Sequence, residues 1–123
     1  MQSEELSREP VLNLSELLAR VEEDYELLRE LIGIAKVEIP RLLEVLREAV
    51  NQADVKNIEY SGHALKGMLL YLSATRAASA AHQLELLGRA SETAAMKRAV
   101  ALFESEIVRL MPELEACMTN TRP

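Results

Sequence analysis

The chain has no tryptophan, one phenylalanine, three tyrosines, one cysteine, and only four glycines and four prolines in 123 residues. With Cys117 alone, no intramolecular disulfide can form, and two histidines without clustered cysteines give no metal-ligand spacing worth defending. No apolar run is long enough to span a bilayer. The start, Met1-Gln2-Ser3-Glu4-Glu5, is acidic rather than signal-like, so a reducing cytoplasm is the expected location. Basic residues are in deficit too: fourteen against twenty acidic give a net charge of −6, which repels a nucleic-acid backbone on average. What remains is rich in Leu, Ala, Glu and Arg, a helix-forming composition at the length of one domain.

The apolar spacing predicts an all-α fold, an up-down four-helix bundle with a short additional N-terminal helix. Residues 1–10, ending at Pro10, read as a flexible tail, 11–118 as the bundle and 119–123 as a second tail. Asn13 or Ser15 is expected to cap the short helix through about Val21, and Asp24 to start a long one whose stripe is Leu28, Leu31, Ala35, Leu42, Leu46 and Ala49. Pro40 falls inside that run and predicts a kink or local loosening. The acidic Glu22-Glu23-Asp24 reads as favourable charge at a helix start. Asn51-Gln52-Ala53-Asp54 is a turn with Asp54 capping the next helix, where Val55, Ile58, Gly62, Leu65, Leu69 and Leu72 form the buried face. Ser73-Ala74-Thr75 is the following bend. Ala77, Ala81, Leu84 and Leu87 continue to Gly88, expected as a left-handed C-terminal cap, and Ser91 is expected to cap the last helix. That helix carries Met96, Val100, Phe103, Ile107, Leu110, Leu114 and Cys117, with Pro112 near its end.

Within the third of these helices, Gly62-His63-Ala64-Leu65-Lys66-Gly67 places a histidine, a lysine and a glycine on one surface. At 100° per residue His63 lies roughly 135° from the centre of the buried stripe and Gly67 nearly opposite it, with Lys66 at the flank. An imidazole is a competent nucleophile near neutral pH because its ordinary pKa of about 6.5 leaves it largely unprotonated. Lys66, three positions on, can neutralise charge on a group transferred to His63. Gly67 costs the helix roughly 1 kcal/mol relative to alanine, and a bulky side chain there would stand between His63 and an incoming protein.

If the bend centres on Ala74, His63 lies eleven residues before it and Glu85 eleven after, so antiparallel packing sets them at one height. A carboxylate accepting the Nδ1 proton would fix the ring and leave Nε2 free. One residue of slip would favour Gln83 or His82 instead. Leu70 and Tyr71 fall on the outer side with His63, so the surface from Gly62 to Tyr71 is a candidate protein-docking face. His82, followed by Glu85 rather than a lysine, reads as a solvent or edge position. Met68, Met96, Met111 and Met118 read as packing.

The long helix with Asp24 and Pro40, the Ala53-Asp54 turn and the His63/Lys66/Gly67 spacing together resemble histidine-containing phosphotransfer (HPt) domains, from about Val11 to Cys117. The resemblance implies a phosphocarrier that accepts a phosphoryl group on His63 from a receiver-domain aspartate and passes it to another receiver. Lys66 would stabilise charge, Glu85 would orient His63, and Gly62, Gly67, Leu70 and Tyr71 would meet the partner. No cofactor is implied in this chain, the divalent metal belonging to the receiver, and the protein is expected as a cytoplasmic monomer forming transient complexes. Met1 and the polar tail favour a free-standing carrier. The sequence departs from the family's pattern where Met68-Leu69-Leu70-Tyr71 replace small residues and Ser73 replaces a later glycine. The alternative is a helical adaptor binding a receiver or other partner through the same face without phosphorylation. An independent kinase or hydrolase lacks a phosphate-cradling glycine loop, metal site or acid/base pair.

Overall fold

In a computed structural model, residues 9–91 and 94–120 are described. The described residues form five helices: α1 (Leu14–Arg20), α2 (Tyr25–Asn51), α3 (Val55–Tyr71), α4 (Thr75–Arg89) and α5 (Met96–Asn120). Three-residue connections make α2/α3 and α3/α4 antiparallel hairpins. Lys36 pairs with Glu115 and Arg47 with Glu104, so α2 and α5 also run in opposite directions and close an up-down ring of four.

The caps explain where the helices start. The Asn13 side chain accepts the Glu16 amide at 3.1 Å, so Asn13 rather than Ser15 caps α1. Asp24 accepts from Leu27 at 3.0 Å and Asp54 from Asn57 at 3.2 Å. Of the acidic run only Asp24 acts at a helix start; Glu22 and Glu23 take left-handed φ values of 55° and 59° in the turn before it. Pro40 lies inside an uninterrupted α2, and Pro112 inside α5.

The core is a layer of leucines, isoleucines and alanines around a fully buried Phe103. On α2 the buried set is Leu28, Ile32, Ala35, Ile39, Leu42, Leu43, Leu46 and Ala49; the expected Leu31 is only half-buried and yields its place to Ile32. α1 closes one end. The Asn13 amide donates to the Ser73 carbonyl at 3.1 Å, and the Arg20 guanidinium bonds the Leu70 and Tyr71 carbonyls and the Ser73 hydroxyl, covering the bare carbonyl end of α3.

Two expected caps are corrected. Gly88 is inside α4, pressed against α3, and the left-handed position after α4 is Ser91, at φ 57°. Ser91 therefore ends α4 and does not start α5. Of the expected N-terminal tail, residues 1–8 lie outside the described residues, while Glu9 and Pro10 are exposed and non-helical. Helix α5 continues through Thr119 and Asn120, two residues into the expected C-terminal tail, whose remainder also lies outside the described residues. Among the described residues no helix is long and apolar enough to cross a membrane.

Candidate functional site

Helix α3 turns Ile58, Ser61, Gly62, Leu65 and Leu69 inward. That phase leaves His63 outside, its side chain 68% exposed, one residue from a fully buried interface. Gly62, expected on the buried stripe and also at the partner surface, is buried against α4 and away from any partner: a Cβ there would meet the Glu85 amide nitrogen at 3.0 Å and its Cα at 3.2 Å. Gly88 does the same from the other side, where a Cβ would meet Ile58 Cγ2 at 3.0 Å and the Glu59 nitrogen at 3.1 Å. Two glycines thus let α3 and α4 approach backbone to backbone. The short gap is what brings a side chain of α4 to the imidazole on α3.

The hairpin register sets which one. His63 and Glu85 stand eleven positions either side of Ala74, Lys66 and His82 eight, Glu59 and Arg89 fifteen. All three pairs meet: His63 Nδ1 lies 2.9 Å from Glu85 Oε2, Lys66 Nζ 3.5 Å from His82 Nδ1, and Arg89 Nε donates to Glu59 Oε2 at 3.0 Å. Glu85 is the hub. Its Oε1 accepts from Lys66 at 2.8 Å and has His82 Nδ1 at 3.4 Å; its Oε2 accepts from Arg89 Nη2 at 2.8 Å beside the His63 ring. A carboxylate only 4% exposed holds four partners.

The Lys66 ammonium, followed by the bonds from His63 and His82, pulls the Glu85 carboxyl down to about 2, outweighing burial, which acts the other way. Glu85 is therefore an anion throughout the neutral range. A carboxylate partner at Nδ1 fixes the ring's orientation and leaves Nε2, the other nitrogen, toward solvent. Chemically this is an oriented nucleophile beside two cations. Among the described residues, surface grooves that are open run along α2, lined for example by Glu30, Gly33, Ile34, Val37 and Glu38, away from His63.

Around the imidazole the surface is open and partly apolar. A Cβ at Gly67 would have no atom within 4 Å, Leu70 is 50% exposed and Tyr71 46%. The Tyr71 ring lies 5.6 Å from the Arg20 guanidinium. Ser73, standing where the resembled family has glycine, adopts φ 62°, the conformation in which glycine is unstrained. Two members of the cluster are not among the residues expected from sequence. Arg89 carried no motif, and His82 does sit at the expected edge position, its side chain 43% exposed, but in contact with Lys66 and Glu85. The register arithmetic that pairs His63 with Glu85 would also have paired Lys66 with His82. Among the described residues no group of His, Cys, Asp or Glu is arranged to hold a metal ion.

A family model described as Hpt domain matches residues 30–122, which include α3, α4 and every residue of this cluster. Comparison with curated proteins and with solved structures gave no significant match.

Proposed function

The chain belongs to the Hpt domain family, and from that premise we propose that it is a histidine phosphocarrier in a two-component phosphorelay, with His63 the acceptor. The observation that carries the reading is the exposed imidazole held through Nδ1 by a buried carboxylate. In the forward step Nε2 attacks phosphorus of a receiver aspartyl phosphate; the N–P bond forms, the acyl phosphate P–O bond breaks, and the aspartate carboxylate leaves. The Nδ1 proton stays on the ring, shared with Glu85, and the carboxylate balances the imidazolium charge that phosphorylation creates. Lys66 neutralises part of the phosphoryl charge. The same atoms run the reverse step toward a second receiver.

The partner reading follows from the surface. Gly67, Leu70 and Tyr71 give a receiver domain an open, partly apolar landing beside His63. The divalent cation that receiver chemistry uses would be carried by that partner, and the protein would act in the cytoplasm as a monomer with transient complexes, contributing no kinase or phosphatase activity of its own.

The test is to charge the protein with phosphoramidate, map the acid-labile phosphate, and chase it with a panel of receiver domains. Label on His63 that leaves rapidly with a receiver, and no label on a folded His63→Gln variant, is the expected result. A receiver that binds as tightly to His63→Gln while His63 never labels would instead support an adaptor acting through the same face.

A further inference from the structure

In the unphosphorylated protein Lys66 is held at Glu85 and turned away from solvent. Its ammonium is 2.8 Å from Glu85 Oε1, and its side chain is 23% exposed against 68% for His63. The third corner of that contact is His82, with Nδ1 3.4 Å from the same oxygen and 3.5 Å from Lys66 Nζ. The ionisable groups in contact with His82 are Lys66 from α3 and Glu85 from α4; His63 and Arg89 complete the cluster through the other oxygen of Glu85.

This triangle has two arrangements that differ by one proton. A neutral His82 can offer the Nδ1 lone pair to the Lys66 ammonium, so that lysine bridges imidazole and carboxylate. A protonated His82 has no lone pair; its Nδ1–H can only donate to Glu85 Oε1, and it places a like charge beside the lysine. Imidazolium at position 82 therefore withdraws the lone pair from the ammonium, shares Glu85 Oε1 with it, and repels it across 3.5 Å. The nearest anionic destination for a displaced ammonium is a phosphoryl group on His63, three residues away on the same helix face.

We propose that His82 is a positioning residue for Lys66: by gaining a proton it gives up its contact with the ammonium, repels it, and shifts the lysine toward the phosphoryl group on His63. The inference rests on the phosphocarrier reading for its purpose, but its physical content is a coupling between residues 82 and 66 that exists in the unphosphorylated protein. A partner that approaches with an anionic surface would favour the same shift, since the shifted state carries one more positive charge.

The experiment follows the Lys66 side-chain Cε and Nζ signals by NMR in the full chain from about pH 8 to about pH 5.5. Both signals are expected to move with a midpoint matching the His82 ring titration. The movement should persist in His63→Gln and disappear in His82→Gln, whose glutamine suits a half-exposed helix position. In parallel, the fraction of His63 labelled at equilibrium with phosphoramidate should favour wild type over His82→Gln by about threefold or more at the acidic end and by little at the alkaline end. That preference should vanish in a Lys66→Gln background. Lys66 signals that ignore residue 82, or a labelling preference that survives Lys66→Gln, would overturn the inference while leaving the carrier reading intact. Failure of wild-type His63 to label at all would overturn the carrier reading, and with it the purpose assigned to His82.

Discussion

His63 Nδ1 stands 2.9 Å from Glu85 Oε2, and the two residues are equidistant in sequence from Ala74. The three-residue connection between α3 and α4 therefore decides which side chain meets the imidazole. A slip of one position would carry the carboxylate around α4 and away from the ring. The glycines at 62 and 88 allow the approach, and the short loop fixes its register.

The orienting role of Glu85 predicts a graded response. Glu85→Leu leaves the Nδ1–H, Lys66 and Arg89 without their common acceptor, and labelling of His63 by phosphoramidate should slow by about tenfold or more. Glu85→Gln keeps a carbonyl acceptor for Nδ1–H and should lose clearly less. Labelling rates measured on both variants, with helicity checked by circular dichroism, decide this. Equal losses would show that the charge, and not the ring's orientation, is what matters.

Acid should weaken the fold through the same residue. The folded-state value of about 2 lies below the ordinary 4.5, so the unfolded chain takes up this proton first. The stabilisation is then fully present above about pH 4.5 and is lost as pH falls toward 2, amounting to the order of 1–3 kcal/mol. Urea unfolding at a series of pH values should show this decline, and Glu85→Gln should flatten it. A wild-type and variant slope that coincide below about pH 5 would remove Glu85 as the cause.

Much of this was legible in the sequence because helical phase is a strong signal. The step of three and four from Val55 to Leu72 put His63 outside, and counting from Ala74 reached Glu85. Contact distance was not legible. Gly62 read both as part of the buried face and as a partner-facing residue, and Gly88 as a cap; only the packed hairpin reveals that each sits against the other helix's backbone. His82 was judged by its neighbours along its own helix, whereas its lysine lies across the hairpin. Ser91, Glu22 and Glu23 took left-handed conformations that their side chains do not announce.

Left-handed backbone at non-glycine residues gives a stability prediction. Ala53 sits at φ 54° in the exposed α2–α3 turn, so Ala53→Gly should stabilise the protein by about 1 kcal/mol, read from denaturant midpoints. Ser73 has a similar φ of 62°, but its hydroxyl accepts from Arg20 at 2.9 Å. Ser73→Gly should gain less than Ala53→Gly, because relief of the backbone is offset by that lost bond, of about 1 kcal/mol. A larger gain at 73 than at 53 would mean that the Arg20 contact contributes nothing.

The glycines of α3 separate folding from function. At Gly62 an added methyl meets the Glu85 backbone at 3.0 Å, and backbone cannot rotate away, so Gly62→Ala should destabilise by about 1–3 kcal/mol and loosen the His63–Glu85 contact. At Gly67 the same methyl meets nothing within 4 Å, so Gly67→Ala should stabilise the helix by about 1 kcal/mol. The fold thus has no steric use for glycine at 67, which leaves room for a reason outside the chain. If that reason is an approaching receiver, Gly67→Leu should label with phosphoramidate as readily as wild type, since a small donor still reaches Nε2, yet pass its phosphate to a receiver about tenfold more slowly. Stopped transfer kinetics on the labelled variants measure this directly. Transfer from Gly67→Leu at the wild-type rate would take the surface beside His63 out of the docking interface.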